Sequence, residues 1–390
     1  MISPGNKWSD TVGAEGAENV TQNRETDVFV VGGGPAGLAT AIAARKRGFT
    51  VALADGAEPP IDKPCGEGLL PATLAALREL GITLDANEGY EFRGIQFIQG
   101  GKRIAADFPN GRGIGLRRPL LHAALVTKAE QSGVRLLWRT PVSAITPEGV
   151  QLKDGFVQAR WIVGADGGGS RVRRWSGLEV SAQRTQRYAT RRHYRVRPWS
   201  EYMEIHWVRE TQAYVTPIGA EEICVVVMAE KPEDADFAKV PEDFPELRER
   251  LCRAELASRE RGAVTAMLRL QRATRGNVAL VGDASGGVDA ITGEGLRLAF
   301  RQSLALAQAI EHNDLSSYEC AHRDLARRPT GMGKLMLLLG RNETLRQRLF
   351  AALAAKPRLF EDLLAMQVGQ ATRSRMVGAG LELGWQFLNS

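Results

Sequence analysis

Short apolar, β-branched runs alternate with Ala-rich and amphipathic stretches along this chain, and the alternation sets out its elements. Residues 27–31 (DVFVV) read as a buried parallel strand that runs straight into glycines. Residues 36–47 read as an Ala-rich helix. Arg45, Lys46 and Arg47 complement the dipole at its end, and Gly48 stops it. Residues 50–54 form a second strand, so strand, turn, helix and strand make one βαβ unit. Helices are predicted over 71–80 and 118–132, with Pro71 and Pro119 in their first turns, and strands over 134–138 and 161–165. Between 185 and 229 the segments alternate or are β-rich, with short turns between them. That pattern predicts an antiparallel sheet distinct from the first domain. Residues 278–282 return to a buried parallel strand, and from about 295 the chain reads as helical, broken at Pro329 and Pro357.

The turn after the first strand carries chemistry. Gly32-Gly33-Gly34-Pro35-Ala36-Gly37 satisfies G-x-G-x-x-G. Gly32 permits the tight turn, Gly34 lets the backbone approach a pyrophosphate, and Gly37 lets helix and strand pack closely. The helix N-terminus offers free N–H groups to phosphates. Asp55 stands 18 residues after Gly37, at the end of the second strand, where its carboxylate can accept from both ribose hydroxyls. This motif alone leaves NAD and FAD open.

Two later segments repeat the physics. In WIVGADGGGSRVR (161–173) a strand delivers Asp166-Gly167. In RGNVALVGDASGGVDAITGEG (275–295) another delivers Gly282-Asp283, followed by a Gly-rich loop and a helix start near Gly293-Glu294-Gly295. An Asp beside a Gly at a strand end leaves room for a cofactor, and the helix start can aim N–H groups at electron-rich atoms.

The trio resembles the FAD-dependent monooxygenases of the para-hydroxybenzoate hydroxylase fold, over roughly residues 27 to 320. The resemblance implies that Asp55 holds the adenosine ribose, and that Arg118, in an R-x-x-L pattern ending at Leu121, lies near the FAD phosphates. Neighbouring Arg117 is the alternative for that role. It implies further that Val142 contacts the adenine, that Asp166 and Gly167 serve FAD and NAD(P)H, and that Asp283 binds the ribityl chain. The chain has no second G-x-G-x-x-G, as expected where the nicotinamide cofactor has no Rossmann domain of its own. Lys63-Pro64-Cys65-Gly66-Glu67-Gly68-Leu69 and the Gly282–Gly295 stretch also resemble geranylgeranyl reductases, which reduce isolated double bonds of isoprenoid chains. Their Y-x-W-x-F-P segment corresponds to Tyr214-Val215-Thr216-Pro217 here, without the Trp and Phe. GEGLLP is similar to flavin-dependent halogenases, but Arg93 stands at the position of their essential Lys, and a guanidinium is a poor nucleophile.

The expected architecture is α/β: a Rossmann-type FAD-binding domain with an inserted antiparallel β-sheet substrate domain and a helical C-terminal region. The expected divisions are a disordered leader at 1–26, the FAD domain at 27–90, 115–180 and 271–320, the substrate sheet at 91–114 and 181–270, and the C-terminal helices at 321–390. The expected activity is that of an NADPH- or NADH-consuming monooxygenase acting through a flavin hydroperoxide on a hydrophobic or aromatic small molecule and O₂. The alternatives are a geranylgeranyl-reductase-like reductase, a halogenase, or a flavin-bound module without turnover. The cofactor carries the hard chemistry, which accounts for the lack of a Ser-His-Asp or paired-carboxylate set.

Composition changes this picture little. The 390 residues carry a formal charge of +6, which calls for no nucleic-acid partner and leaves room for an anionic ligand or peripheral membrane contact. The four cysteines (Cys65, Cys224, Cys252, Cys320) form no C-x-x-C pair, so neither a metal site nor a disulfide framework is expected. A reducing, cytoplasmic compartment fits, and no apolar run is long enough to span a bilayer. Tyr214 and His206, on the predicted sheet, are the candidates to donate to or deprotonate a substrate. Each is also open to a purely structural role. The same holds for Cys65, for Glu67 and for the arginine-rich run from Arg184 to Arg197. Arg171 and Arg173 are the candidates for nicotinamide phosphates.

Overall fold

A computed structural model of the chain describes residues 25–84, 88–179 and 185–367. Most of the expected leader and Arg184 lie outside them.

The first sheet is built on the strand Glu25–Val31, fully inside from Val28 on, as its apolar run predicts. It pairs in parallel with Val51–Ala54 on one side and with Gly155–Gly164 on the other. Arg135–Leu137 and Val278–Leu280 extend the parallel array outward. The helix Pro35–Arg45 packs one face on this sheet and another on the helix Gly295–Glu311, where the Thr40 and Ser303 hydroxyls meet at 2.8 Å. Because both sheet faces are covered, the strands read as continuous apolar runs rather than alternating ones.

The second sheet runs in the order Thr185–Arg195, Glu222–Ala229, Thr211–Gly219, Tyr202–Val208, Gly94–Gln99, Lys102–Asp107. All neighbours on this path are antiparallel except Tyr202–Val208 with Gly94–Gln99. The register shifts between Pro217 and Gly219, where proline has no N–H to give the ladder. Both faces are covered. Val215, Ile223, Val225 and Val227 pack on Phe237, Phe244 and Leu247 below, while Met203, Ile205, Tyr214 and Met228 meet the C-terminal helices above.

Those helices are Leu315–Arg341, Glu343–Ala355 and Pro357–Gln367. The predicted break at Pro357 is present. The break at Pro329 is not, and the helix runs through it with the proline ring buried. Packing of the flanking turns on the helix Gly295–Glu311 and on the loop at Ala290–Thr292 outweighs one missing backbone bond. No described helix is long and apolar enough to cross a membrane.

Candidate functional site

The three glycine-bearing strand ends meet at one edge of the first sheet. Gly32 has φ +112°, and a Cβ there would lie 2.5 Å from the Ala165 carbonyl oxygen. A Cβ on Gly37 would fall 1.9 Å from the Gly32 oxygen. Gly282, at φ +59°, faces Ala36, whose methyl would sit 2.7 Å from an added Cβ. By contrast, Gly34, Gly293 and Gly295 look into open space, with nothing within 4 Å of the position a Cβ would take. Crowded glycines close the turn; open ones line a cradle. The helix from Pro35 begins at Gly34 with no side-chain cap, and the helix from Gly295 likewise begins uncapped at Glu294. Both leave N–H groups for an anion or an electron-rich ring edge.

Asp55 accepts from the Gly33 amide at 2.6 Å and from the Ala57 amide at 2.7 Å, which fixes its carboxylate beside the fingerprint turn. His122 reaches the Gly33 carbonyl through Nε2 at 2.9 Å. Burial pushes its pKa down, keeping it neutral. The Trp138 ring lies against Gly33, 2.3 Å from where a Cβ would stand. Neither His122 nor Trp138 is marked by any motif. Only the helix opened by Pro119 and the strand ending at Leu137 bring them here.

Other predicted contacts are placed as follows. Arg118 is buried, its Nε without a partner among the described residues. Arg117 pairs with Glu222. Val142 is buried in its strand. Asp166 caps the short helix Arg171–Trp175, accepting from the Arg171 and Val172 amides. Asp283 is half exposed and takes Lys63 Nζ at 2.7 Å. Glu294 is buried; its Oε2 accepts from Arg297 while Oε1 has no partner among the described residues, and burial raises its pKa. Arg173 corrects the phosphate expectation. It is buried, donating to the Ala284 and Gly168 carbonyls, and ties the two Asp-Gly segments together.

Over the sheet's inner face lies a cavity of about 90 Å³. Gly68, Thr292 and Gly293 line one end, at the cradle. Ile205, Trp207, Leu339, Phe350, Leu353 and Phe360 line the rest. Among the described residues no carboxylate, imidazole, lysine or arginine lines it. Tyr214 does, but its hydroxyl donates to the Ile291 carbonyl at 3.2 Å, and burial drives its pKa up. His206 corrects the other expectation. Ile205 and Tyr214 sit opposite each other in the hairpin, so His206 turns to the far face. There it bonds Glu204 at 2.9 Å and meets the Phe244 ring edge-on. Arg93 is likewise engaged, with Asp107 and Glu201.

A charged hub borders the cavity. Glu67 is 2% exposed and has φ +58°. Its Oε1 accepts from the Arg118 amide and from Arg191 Nη1, both at 3.0 Å, and its Oε2 meets His193 Nε2 at 2.7 Å. Arg191 also grips Asp62, and His193 Nδ1 meets Ser258 Oγ at 2.6 Å. Arg187, buried on the same strand face, lies 4.0 Å from Asp289. The arginine run therefore divides by place on the strand. Arg187 and Arg191 point inward to acids, Arg192 on the opposite face pairs with Glu260, and Arg195, at the exposed strand end, pairs with Glu255. Glu67, His193 and Cys224 offer their ligand atoms within 4.8 Å of one another. The Arg191 guanidinium already occupies the carboxylate, which disfavours a cation there.

A family model described as FAD binding domain matches residues 25–313. A menaquinone reductase of Mycobacterium tuberculosis is 28% identical over 321 residues, covering 74% of this chain and 78% of that protein. A putative 2-heptyl-3-hydroxy-4(1H)-quinolone synthase of Rhodococcus erythropolis is 27% identical, covering 77% and 84%. Among solved structures, a flavoprotein/dehydrogenase from Cytophaga hutchinsonii superposes with a TM-score of 0.76 at 20% identity, over 88% of this chain and 93% of that one.

Proposed function

The chain belongs to the FAD binding domain family, and from that premise we propose that it is an FAD-dependent oxidoreductase that reduces carbon–carbon double bonds in an apolar, chain-like substrate. The cavity carries this reading. An apolar-lined cavity stays dry and takes apolar ligands, and this one opens at one end on the glycine cradle. A phenolic substrate needs a base to deprotonate it, and the two hydroxyls at the wall, of Tyr214 and Thr292, already donate to the Ile291 and Asp289 carbonyls. The resemblance of Lys63–Leu69 to geranylgeranyl reductases and the menaquinone reductase among the relatives point the same way.

The residues on hand suit the cofactor. The open glycines Gly34, Gly293 and Gly295, the uncapped helix starts and the orphaned Arg118 Nε are what an elongated anionic dinucleotide would occupy. In this reading Gly32, Pro35, Ala36 and Gly37 shape the pyrophosphate turn. Asp55 takes the ribose, Arg118 the phosphates, Asp283 the ribityl chain, and Asp166-Gly167 and Val142 the flanks. When bound and reduced by NADPH or NADH, FAD would supply a hydride to one carbon of a double bond, with the other carbon taking its proton from solvent. The protein's part is to hold the chain straight against Ile205, Tyr214 and Phe350, exclude water, and keep Glu67 and Arg191 paired so that no free charge faces the bond.

A second reading, an NAD(P)H-dependent monooxygenase, is favoured by the Rhodococcus relative and by the missing Trp and Phe after Tyr214. Turnover of a polyprenyl quinone without oxygen separates the two. A product that keeps two added hydrogens in its prenyl chain after the quinone ring is reoxidised supports the reductase. A product gaining one oxygen, formed only in air, overturns it.

A further inference from the structure

The cavity has a greasy mouth. Leu335 both lines the cavity and is 39% exposed, and Leu338, one turn further along the helix Leu315–Arg341, is 53% exposed. Residues three apart share a helix face. Met336 and Leu339 of the same helix are buried against the cavity, so the helix shows leucine to both sides. Scattered surface leucines need no explanation. These stand at the opening of an apolar cavity.

Charge gathers around the same face. Residues 321–367 hold nine arginines and lysines against four acids, a net +5, while the whole chain carries +6. Lys334 adjoins Leu335, and Arg327 and Arg328 lie two turns upstream on the same side. Arg348 and Arg358 stand on the next two helices. All five are exposed, and among the described residues none makes an ion pair.

We propose that this face docks on an anionic phospholipid bilayer, seating Leu335 and Leu338 among the acyl chains so that an apolar chain passes from the membrane into the cavity. Leucines dipping below the headgroups with cations at their level is the arrangement of an interfacial helix. What enters the cavity rests on the proposed function; the docking itself does not.

The test uses the full FAD-loaded chain and sedimentation with phosphatidylcholine vesicles, with and without phosphatidylglycerol. The chain should pellet with the anionic vesicles about tenfold more than with the neutral ones, and less at high salt. Leu338→Asp and Lys334→Glu should each lower the bound fraction several-fold while leaving the flavin spectrum and the melting temperature in place. They should slow turnover of a vesicle-borne substrate but not of a short, soluble one. No pelleting, or equal pelleting with both vesicle types, overturns the proposal. So does a Leu338→Asp variant whose only change is a smaller oligomer in the absence of vesicles. Vesicle binding with no turnover of any prenyl chain supports the docking and sinks the proposed function alone.

Discussion

The inner face of the second sheet has two unlike ends. Along Thr185–Arg195 it presents Arg187, Arg191 and His193, all buried and met by Asp289, Asp62 and Glu67. A few strands away, along Tyr202–Val208 and Gly94–Gln99, it presents Met203, Ile205, Trp207 and Phe97 to the cavity. One sheet thus does two jobs. Paired charges are directional and resist sliding, so the first end locks the loop that carries Glu67 and the start of the helix that carries Arg118 to the sheet. Apolar contacts are non-directional, so the second end can accept a guest. The contrast predicts that the first end governs whether the site assembles and the second governs what fits.

Glu67→Ala should be the largest single effect. It strands His193 without its acid and leaves Arg191 with Asp62 alone, and breaking a buried charged set costs about 3–5 kcal/mol. Urea unfolding of the loaded protein measures it, and Glu67→Gln, which keeps the shape and an acceptor, should cost less. A loss under about 1 kcal/mol for Glu67→Ala would mean that the charged end locks nothing. At the other end, Leu353→Ala should cost about 2–3 kcal/mol, the low part of the range for a buried leucine, because the space beside it is already open. It should leave flavin affinity alone and admit bulkier chains, read as KM across substrates of increasing branching. If flavin affinity falls instead, the two ends are not separable.

Smaller still is a pH effect confined to the cradle. Burial lowers the pKa of His122, so the folded protein binds its proton more weakly than the unfolded chain does. Stability is therefore full above the ordinary histidine value near 6.5 and is lost as pH falls from there toward the depressed one. His322, partly buried and lowered by desolvation, acts in the same direction. His122→Gln can still donate to the Gly33 carbonyl but does not titrate. It should flatten the acid side of the stability profile between pH 7 and 5. An unchanged profile would remove His122 from the account.

The cradle was legible because backbone geometry writes itself into sequence. Gly32 and Gly37 stand where any Cβ would strike a carbonyl, and such positions announce themselves one residue at a time. The parallel sheet was legible for a related reason, since short apolar runs that end in glycine mark strands buried on both faces. The hub was not. Asp62, Glu67, Arg191, His193 and Ser258 lie in three distant segments, and nothing local marks Glu67 as their centre. Strand parity hid the rest. His206 and Tyr214 looked equivalent in sequence, but the hairpin pairs Tyr214 with Ile205, so one faces the cavity and the other its opposite. Pro329 misled because a local rule was outweighed by packing on both sides of it.

The finest probe of the contrast is Tyr214→Phe, at the seam between the two ends. The hydroxyl donates one long bond, 3.2 Å, to the Ile291 carbonyl, and its raised pKa makes it a reluctant acid. Removing it should cost about 0.5–1.5 kcal/mol, the net worth of a neutral hydrogen bond. If the apolar end only positions a chain, kcat should fall by less than about fivefold, with KM moving little. A positioned acid or base contributes about 10²–10⁴-fold. A drop of that size, with a pH profile that shifts when the hydroxyl is gone, would make Tyr214 a proton donor. It would then join the apolar end to the chemistry that the contrast assigns to the cradle alone.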